Sequence, residues 1–393
     1  MKILRIIYEL IQILWRYAGS YKLRIQPNKL VFMTYQNQYT CNPKYITEYL
    51  LKSDLNIEIV WIVDRETLQS PKTQNIPSNV RLVARNSQQS FYELMSAGIW
   101  IDNALNCMWR ILPKRKTQLY LNTWHGSLGI KRLDTYNPGK GYWRYIARRS
   151  NRAINYFLSN SQFEDSVFKY SYWPNVKCIH TGHARNDIFF NHEYMYILRK
   201  RILSFYNLSE DTRLLLYAPT FREDKTCDFL TLDFEKLLKS VTQKFPGKWK
   251  ILFRFHFHNR HNTIQGMLHH NMIDASAYPD MQELLAAADM GITDYSSWIY
   301  DYMLTMRPAF IYAPDLKKYN TQRGFYYPLE STPFFIAQNT EELTRNISLF
   351  SPAVYENKVK KFLSEKGCIE DGMACKRIET IILDYLTQYK NNA

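Results

Sequence analysis

The chain has no C-x-x-C pair, because its six cysteines stand far apart at Cys41, Cys107, Cys178, Cys227, Cys368 and Cys375. That spacing argues against a zinc ribbon and a disulfide framework, and it points to a reducing compartment. H-E-x-x-H is missing too, and no internal repeat or low-complexity tract occurs. No apolar run approaches the roughly 18 to 20 residues needed to span a bilayer. The N-terminus is basic and apolar, but Arg5, Glu9, Gln12 and Arg16 break up any signal-peptide core. Acidic residues are in deficit, 36 against 51 Lys and Arg, which gives a formal net charge of +15. The expected partners are therefore anionic: a nucleotide, phospholipid headgroups, a polyanionic polymer or nucleic acid.

What is present is core-forming material. With 393 residues, 46% of them hydrophobic and 15% aromatic, the chain is long enough for two ordinary domains and is not a disordered one. The interrupting residues at 5, 9, 12 and 16 follow helical spacing, with Ile3, Ile6, Ile7, Leu10, Ile13 and Leu14 on the other side. Residues 1–24 thus read as a basic amphipathic helix and lead-in. Lys2, Arg5, Arg16, Lys22, Arg24 and Trp15 suit an anionic membrane interface, and packing on the protein or a partner stays open.

Downstream, short β-rich runs alternate with helical patterns, the mark of an α/β protein with parallel sheets. The first series is expected at 30–35, 57–63, 80–84, 119–122, 156–159 and 178–182. The second falls at 214–217, 250–255, 272–274, 290–293 and 309–312. Asn42 and Pro43 are expected to cap and open a helix that runs to Leu51. The domains expected are a Rossmann-like one over 25–195, a second over 212–375, and a closing C-terminal helix over 376–393.

Ligands of doubly wound sheets bind beyond the carboxyl ends of strands, so the residues there are the site candidates. Trp124, His125 and Gly126 follow one strand, with Lys131 and Arg132 just beyond. A histidine there suits a general base, and a structural histidine is the other reading. In Thr181-Gly-His-Ala-Arg-Asn-Asp187, Arg185 suits a phosphate, or else Asn186 and Asp187 cap the helix that follows. Thr220 and Arg222 end the first strand of the second series, and Arg suits bidentate phosphate contact. Arg254, His256 and His258 alternate on one strand face. His261, His269 and His270 lie nearby, yet no acidic partner sits at ligand spacing, so no metal is expected. Thr293, Asp294, Ser296 and Ser297 precede a helix containing Asp301, where hydroxyls and backbone N–H groups suit an anion. Tyr312, Asp315, Tyr319 and Arg323 follow the next strand.

These runs resemble the CDP-glycerol glycerophosphotransferases that prime and polymerise teichoic acids and related capsule polymers. The resemblance rests on Thr123-Trp-His-Gly126 with Lys131-Arg132, on Gly182 with Arg185-Asn186-Asp187, and on Tyr217-Ala-Pro-Thr-Phe-Arg222. Arg254 to His256 and Ile292-Thr-Asp-Tyr-Ser-Ser297 extend it, followed by Asp301, Pro308, Tyr312, Asp315, Tyr319 and Arg323-Gly324. It implies a GT-B fold, two Rossmann-like domains facing a cleft. By similarity His125 and His256 are the catalytic pair: His125 deprotonates the acceptor hydroxyl, while His256, Arg222, Thr293, Ser296 and Ser297 hold the donor diphosphate, with Arg254 and Arg323 beside them. The implied reaction moves glycerol phosphate from CDP-glycerol to a lipid-linked or glycan acceptor and releases CMP, without a cofactor, at the cytoplasmic face of the membrane. A CDP-ribitol donor, or a nucleotide sugar, is the alternative. Ser127-Leu128 and Phe257 stand where the family usually has Thr-Pro and Pro, which bears on substrate fit. Nucleic acid is not expected as a partner, since no clustered basic stripe or binding module is present.

Overall fold

The computed structural model describes residues 22–35, 37–70, 75–105, 113–133, 142–220, 231–255 and 271–391, together with 11, 14, 18 and 19; for 142–145 it describes the backbone only. The expected N-terminal helix lies almost wholly outside the described residues. So do Arg222, His256, His258, His261, His269 and His270.

Two compact units are present, each built on one parallel sheet. The first sheet has β1 (Gln26–Met33), β2 (Glu58–Val63), β3 (Arg81–Ala84), β4 (Ala97–Asp102), β5 (Leu119–Asn122), β6 (Tyr156–Ser159) and β7 (Lys177–His180). Its order is β3-β2-β1-β4-β5-β6-β7. The second has β8 (Thr212–Tyr217), β9 (Lys248–Phe253), β10 (Met272–Asp274), β11 (Met290–Thr293), β12 (Ala309–Tyr312) and β13 (Phe335–Ala337). Its order is β10-β9-β8-β11-β12-β13. Both are doubly wound Rossmann-like sheets, whose strand order reverses at β1/β4 and at β8/β11.

The core strands are near-continuous apolar runs, as a parallel sheet covered on both faces requires. Val60, Trp61, Ile62 and Val63 of β2 are fully buried, as are Ile99, Trp100 and Ile101 of β4. β4 and β13 are strands that sequence pattern does not reveal. At Gly98 on β4, an added Cβ would stand 2.4 Å from the Pro27 carbonyl oxygen, so only glycine lets β1 and β4 approach there. Charge is also built into this sheet. Lys29 on β1, 2% exposed, puts its Nζ 2.9 Å from Glu93 and 3.0 Å from the Ser96 hydroxyl. Arg81 on β3 grips Glu93 at 2.6 Å and Glu58 of β2 at 2.5 Å. Burial opposes a charge on Glu93, but Arg81, Lys29 and Gln89 together hold its carboxyl down at about 2.

The units do not follow the chain as two successive blocks. Residues 126–138 and 188–368 belong to the second, and residues 369–393 to the first. Expected boundaries at 195 and 375 give way for identifiable reasons. The helix His192–Phe205 is tied to the second unit because Arg199 donates to the carbonyls of Ala287 and Thr212 and pairs with Asp289 at 2.8 Å. The last helix, Ala374–Asn391, begins on the Asp187 carboxylate, which accepts from the Ala374 and Cys375 N–H groups at 3.0 and 2.8 Å. Asp187 thus caps a helix, but one nearly two hundred residues away in the chain. No described helix is long and apolar enough to cross a membrane.

Candidate active site

In the first unit the strand-order reversal brings together three loops, those after β1, β4 and β5. Asp102, at the end of β4, accepts from the Ala104 N–H at 2.9 Å and from the Tyr120 hydroxyl at 3.0 Å. Asn122 accepts from the Trp124 N–H and donates its amide to the Ala104 carbonyl. Asn42, expected as a helix cap, does something else. It lies inside the helix Cys41–Leu50, fully buried, and donates to the carbonyls of Thr123 and Trp124 at 3.2 and 3.3 Å. Its oxygen accepts from the Arg185 N–H at 3.1 Å. These bonds hold Trp124 at φ +49°, a left-handed conformation costly for an aromatic residue.

The strained turn aims His125. Its Nδ1 lies 2.6 Å from the Asn103 carbonyl oxygen, which can only accept, so Nδ1 carries the proton and Nε2 presents a lone pair. The rings of Trp124 and Tyr35 stack on the imidazole with centroids at 4.6 and 4.9 Å, each tilted by 22°. Burial pushes the His125 pKa down to about 4; the Asn103 carbonyl works against that shift, and the positive Arg185 adds to it. At neutral pH the ring is therefore an uncharged acceptor. Any reaction that needs its lone pair should fail as pH falls through about 4, not near the ordinary histidine value. The acid limb of kcat/KM reports this, and a limb at 6.5 would remove neutral His125 from the reaction.

Below this lies a second buried histidine. His183 Nε2 is 3.0 Å from Glu164, and its backbone N–H donates to both oxygens of Glu370 at 3.2 Å. Burial opposes its charge, yet the Glu164 carboxylate prevails and raises its pKa. Asn160 and Asn186 donate to the same Glu370 at 3.0 and 2.9 Å. Arg185 is 3% exposed, and its Nη1 lies 3.6 Å from the Cys41 sulfur. The run 181–187 thus fixes the last helix and the floor under Trp124.

In the second unit the reversal lies between β8 and β11, and the loops after them are cross-tied. Thr293 is fully buried and donates its hydroxyl to the Ala218 carbonyl at 2.7 Å. Trp298 Nε1 reaches the same oxygen at 3.0 Å. Asp294 accepts from the Thr220 N–H at 2.8 Å and from Tyr295 N–H. Asp301 is buried against Gln282. Thr293 therefore closes the sheet end through its hydroxyl, and the Thr220 N–H, Asp294 and Asp301 frame the same loop. Ser296 and Ser297 stay half-buried, and Ser297 makes no side-chain cap bond. The helix they introduce, Trp298–Tyr302, is only five residues long. Its dipole is correspondingly small, so serine hydroxyls and backbone N–H groups are what this turn offers an anion. Arg254 follows β9, which ends at Phe253, and its Nη1 donates to the carbonyls of Ala275 and Tyr278 at 3.1 and 2.6 Å. Through Nη1 the guanidinium holds this loop against the end of β9.

Residues 126–133 belong to this unit as well. Lys131 forms an antiparallel bridge with Phe325, Tyr326 N–H donates to the Ile130 carbonyl at 2.8 Å, and Arg132 N–H to that of Gly324 at 3.1 Å. Gly324 has φ +75°, a conformation that strains any residue with a side chain, and an added Cβ would stand 3.1 Å from Arg132 Cδ. Arg323 ends the preceding helix, Leu316–Arg323. Gly129 backs onto Ser297, 3.1 Å from its Cβ were a side chain present. The structure thus gathers Trp124, His125, Arg185 and Asp187 in the first unit. It gathers Gly126, Lys131, Thr220, Arg254, Thr293, Asp294, Ser296, Ser297, Asp301 and Arg323 in the second. Among the described residues, no group of three or more His, Cys, Asp or Glu side chains is arranged to hold a metal ion.

Two Rossmann-like units, with a tautomer-fixed histidine near one strand-order reversal and a serine-bearing turn at the other, make the class a doubly wound α/β protein of two Rossmann-like domains. The model of the CDP-Glycerol:Poly(glycerophosphate) glycerophosphotransferase family matches residues 16–384, and the chain belongs to that family. It is 26% identical over 374 residues to the teichoic acid glycerol-phosphate transferase of Staphylococcus aureus (strain NCTC 8325 / PS 47), covering 90% of this chain and 92% of that one. It is 28% identical over 387 residues to the teichoic acid poly(glycerol phosphate) polymerase of Staphylococcus epidermidis, covering 91% of this chain and 51% of the polymerase. The chain thus spans about half the length of that polymerase, and likewise of the one from Bacillus subtilis, 49% of which is covered. A solved structure of the wall teichoic acid polymerase TagF, soaked with CDPG, superposes with a TM-score of 0.82 at 26% identity, over 99% of this chain and 98% of that one.

Proposed function

We propose that this chain transfers glycerol phosphate from CDP-glycerol to a hydroxyl of a lipid-linked or glycan acceptor and releases CMP, in the synthesis of teichoic acid or a related surface polymer. The observation that carries the reading is His125, an imidazole whose Nδ1 proton is pinned on Asn103 while Nε2 stays a free acceptor, in a chain matched to its family over residues 16–384. In the proposed step Nε2 takes the proton of the acceptor hydroxyl as its oxygen attacks the β-phosphorus of CDP-glycerol. The bond from that phosphorus to the bridging oxygen breaks, and its electron pair leaves with CMP. Such a displacement depends on positioning and charge stabilisation, so no cofactor is required.

The donor diphosphate is assigned to the second unit, to Ser296 and Ser297 with Lys131 and Arg323, joined by Arg222 and His256 outside the described residues. An approaching diphosphate would favour the imidazolium, so the acid limb of kcat should lie above that of kcat/KM. Action at the cytoplasmic face of the membrane fits a net charge of +15 and an acceptor carried on lipid. Sedimentation with vesicles of anionic phospholipid tests this, and protein left in the supernatant would remove it.

The deciding experiment offers the purified chain CDP-glycerol, CDP-ribitol and nucleotide sugars, each with a lipid-linked saccharide, and follows CMP or nucleoside diphosphate. CMP from CDP-glycerol alone is expected. CMP from CDP-ribitol alone would change the polyol, and release only from a nucleotide sugar would replace the reaction with glycosyl transfer.

A further inference from the structure

Tyr35 is left without a task by everything above. It sits in the loop after β1 and is 56% exposed, whereas Leu30, Val31, Phe32 and Met33 of the strand before it are fully buried. Its position is nevertheless fixed twice over. The Tyr35 backbone N–H donates to the Asn103 side-chain oxygen at 2.7 Å, and its ring stacks on His125 at 4.9 Å. Asn103, 1% exposed, therefore holds both members of the pair, the imidazole through its main-chain carbonyl and Tyr35 through its amide oxygen. One residue at the end of β4 ties the loop after β1 to the histidine after β5, across the strand-order reversal.

We propose that Tyr35 is a positioning residue for His125: its ring, anchored by Asn103, holds the imidazole plane in place and covers it from water. The inference rests on the reading of His125 as the base. A ring held by one hydrogen bond can still rotate about that bond, and the Tyr35 ring, stacked on it as Trp124 is, restricts that rotation from the loop after β1. When Nε2 has taken a proton, the positive imidazolium also lies against the electron-rich tyrosine face, an interaction worth about 0.5–1 kcal/mol at exposed sites. The hydroxyl has no part in this, so phenylalanine should serve as well as tyrosine. Losing the ring has two opposed effects on proton affinity: the cation–π contact goes, and water reaches the imidazole. Burial already shifts this histidine down to about 4, a larger effect than the ring contact, so re-wetting wins and proton affinity rises.

The test uses Tyr35→Ala and Tyr35→Phe in the full chain, with two readouts. The first is NMR titration of the His125 imidazole, which needs no substrate. Tyr35→Ala should bind the proton about 10-fold more tightly and show a mixed tautomer, while Tyr35→Phe keeps the native titration. The second is steady-state CMP release. Tyr35→Ala should lower kcat about 10-fold with KM for CDP-glycerol unchanged, and in a His125→Ala background the same change should cost nothing further. An unchanged NMR titration in Tyr35→Ala overturns the inference, as does an equal loss of rate with and without His125. His125→Ala at native turnover would overturn the reading of the base itself, while the NMR arm would still report whether Tyr35 holds the ring.

Discussion

His125→Ala is expected to lower the rate of CMP release from CDP-glycerol by about 10²–10⁴-fold, the usual contribution of one positioned general base. Fold and donor binding should survive. The hydrogen bond described for the ring is to a main-chain carbonyl, and the serines proposed to hold the donor diphosphate belong to the other unit. Thermal melting and equilibrium binding of CDP-glycerol check those two points separately from rate. His125→Gln is the sharper variant, because its amide can still reach the Asn103 carbonyl while offering no basic nitrogen, and it should be as slow as alanine. Native-like CMP release by either variant would sink the role of His125. A large loss of melting temperature would instead make it a structural histidine, the reading its sequence alone leaves open.

Glu93→Ala should cost the first unit about 3–5 kcal/mol, the range for removing one partner of a buried ion pair. Lys29 would be left 2% exposed, with Glu58 at 4.0 Å, the Ser96 hydroxyl and the Tyr92 ring near its ammonium but no close carboxylate. At roughly 2–4 °C per kcal/mol for a domain of this size, melting should fall by about 6–20 °C. Adding Lys29→Met should recover most of it, since apolar side chains of similar volume replace buried pairs at little cost. The pH dependence has a definite sign. Glu93 has its folded pKa depressed to about 2, so its contribution is complete above the ordinary value of 4.5 and is lost as pH falls toward 2. Urea denaturation at pH 7 and pH 3 measures both effects. A single variant within ~0.5 kcal/mol of the native protein, the spread of ordinary surface substitutions, would show that the pair is not isolated from water.

Much of the architecture is legible in the chain, because parallel strands buried on both faces must be written as apolar runs. β4 escapes that reading for a local reason. Ala97 follows the helix Gln88–Ser96 with no turn residue between them, and Gly98 looks like a breaker until Pro27 is found against it. Missing β4 also hides Asp102 and Asn103, and with them the partner that fixes His125. The position of His125 after a strand is visible in sequence, whereas its tautomer is not, since that depends on a carbonyl 22 residues away. Asn42, Thr293 and Arg254 share a feature that spacing does not show. Each has the residue type for a local or ligand-binding task, and each turns its polar atoms to main-chain carbonyls distant in sequence. Spacing tells which loop a side chain joins, but not which oxygen it meets.

The assignment of residues 126–138 to the second unit has a practical consequence for anyone dissecting this protein. A gene fragment cut at 188 and 368 would express the second sheet without the ribbon that bridges Phe325 through Lys131 and accepts the Tyr327 hydroxyl on the Leu128 carbonyl. Such a fragment would expose an unpaired edge beside Ser297 and invite aggregation, and its failure to bind nucleotide would say nothing about the intact site. A faithful excision would have to graft 126–138 onto the fragment through a linker, which makes the autonomous piece a discontinuous one.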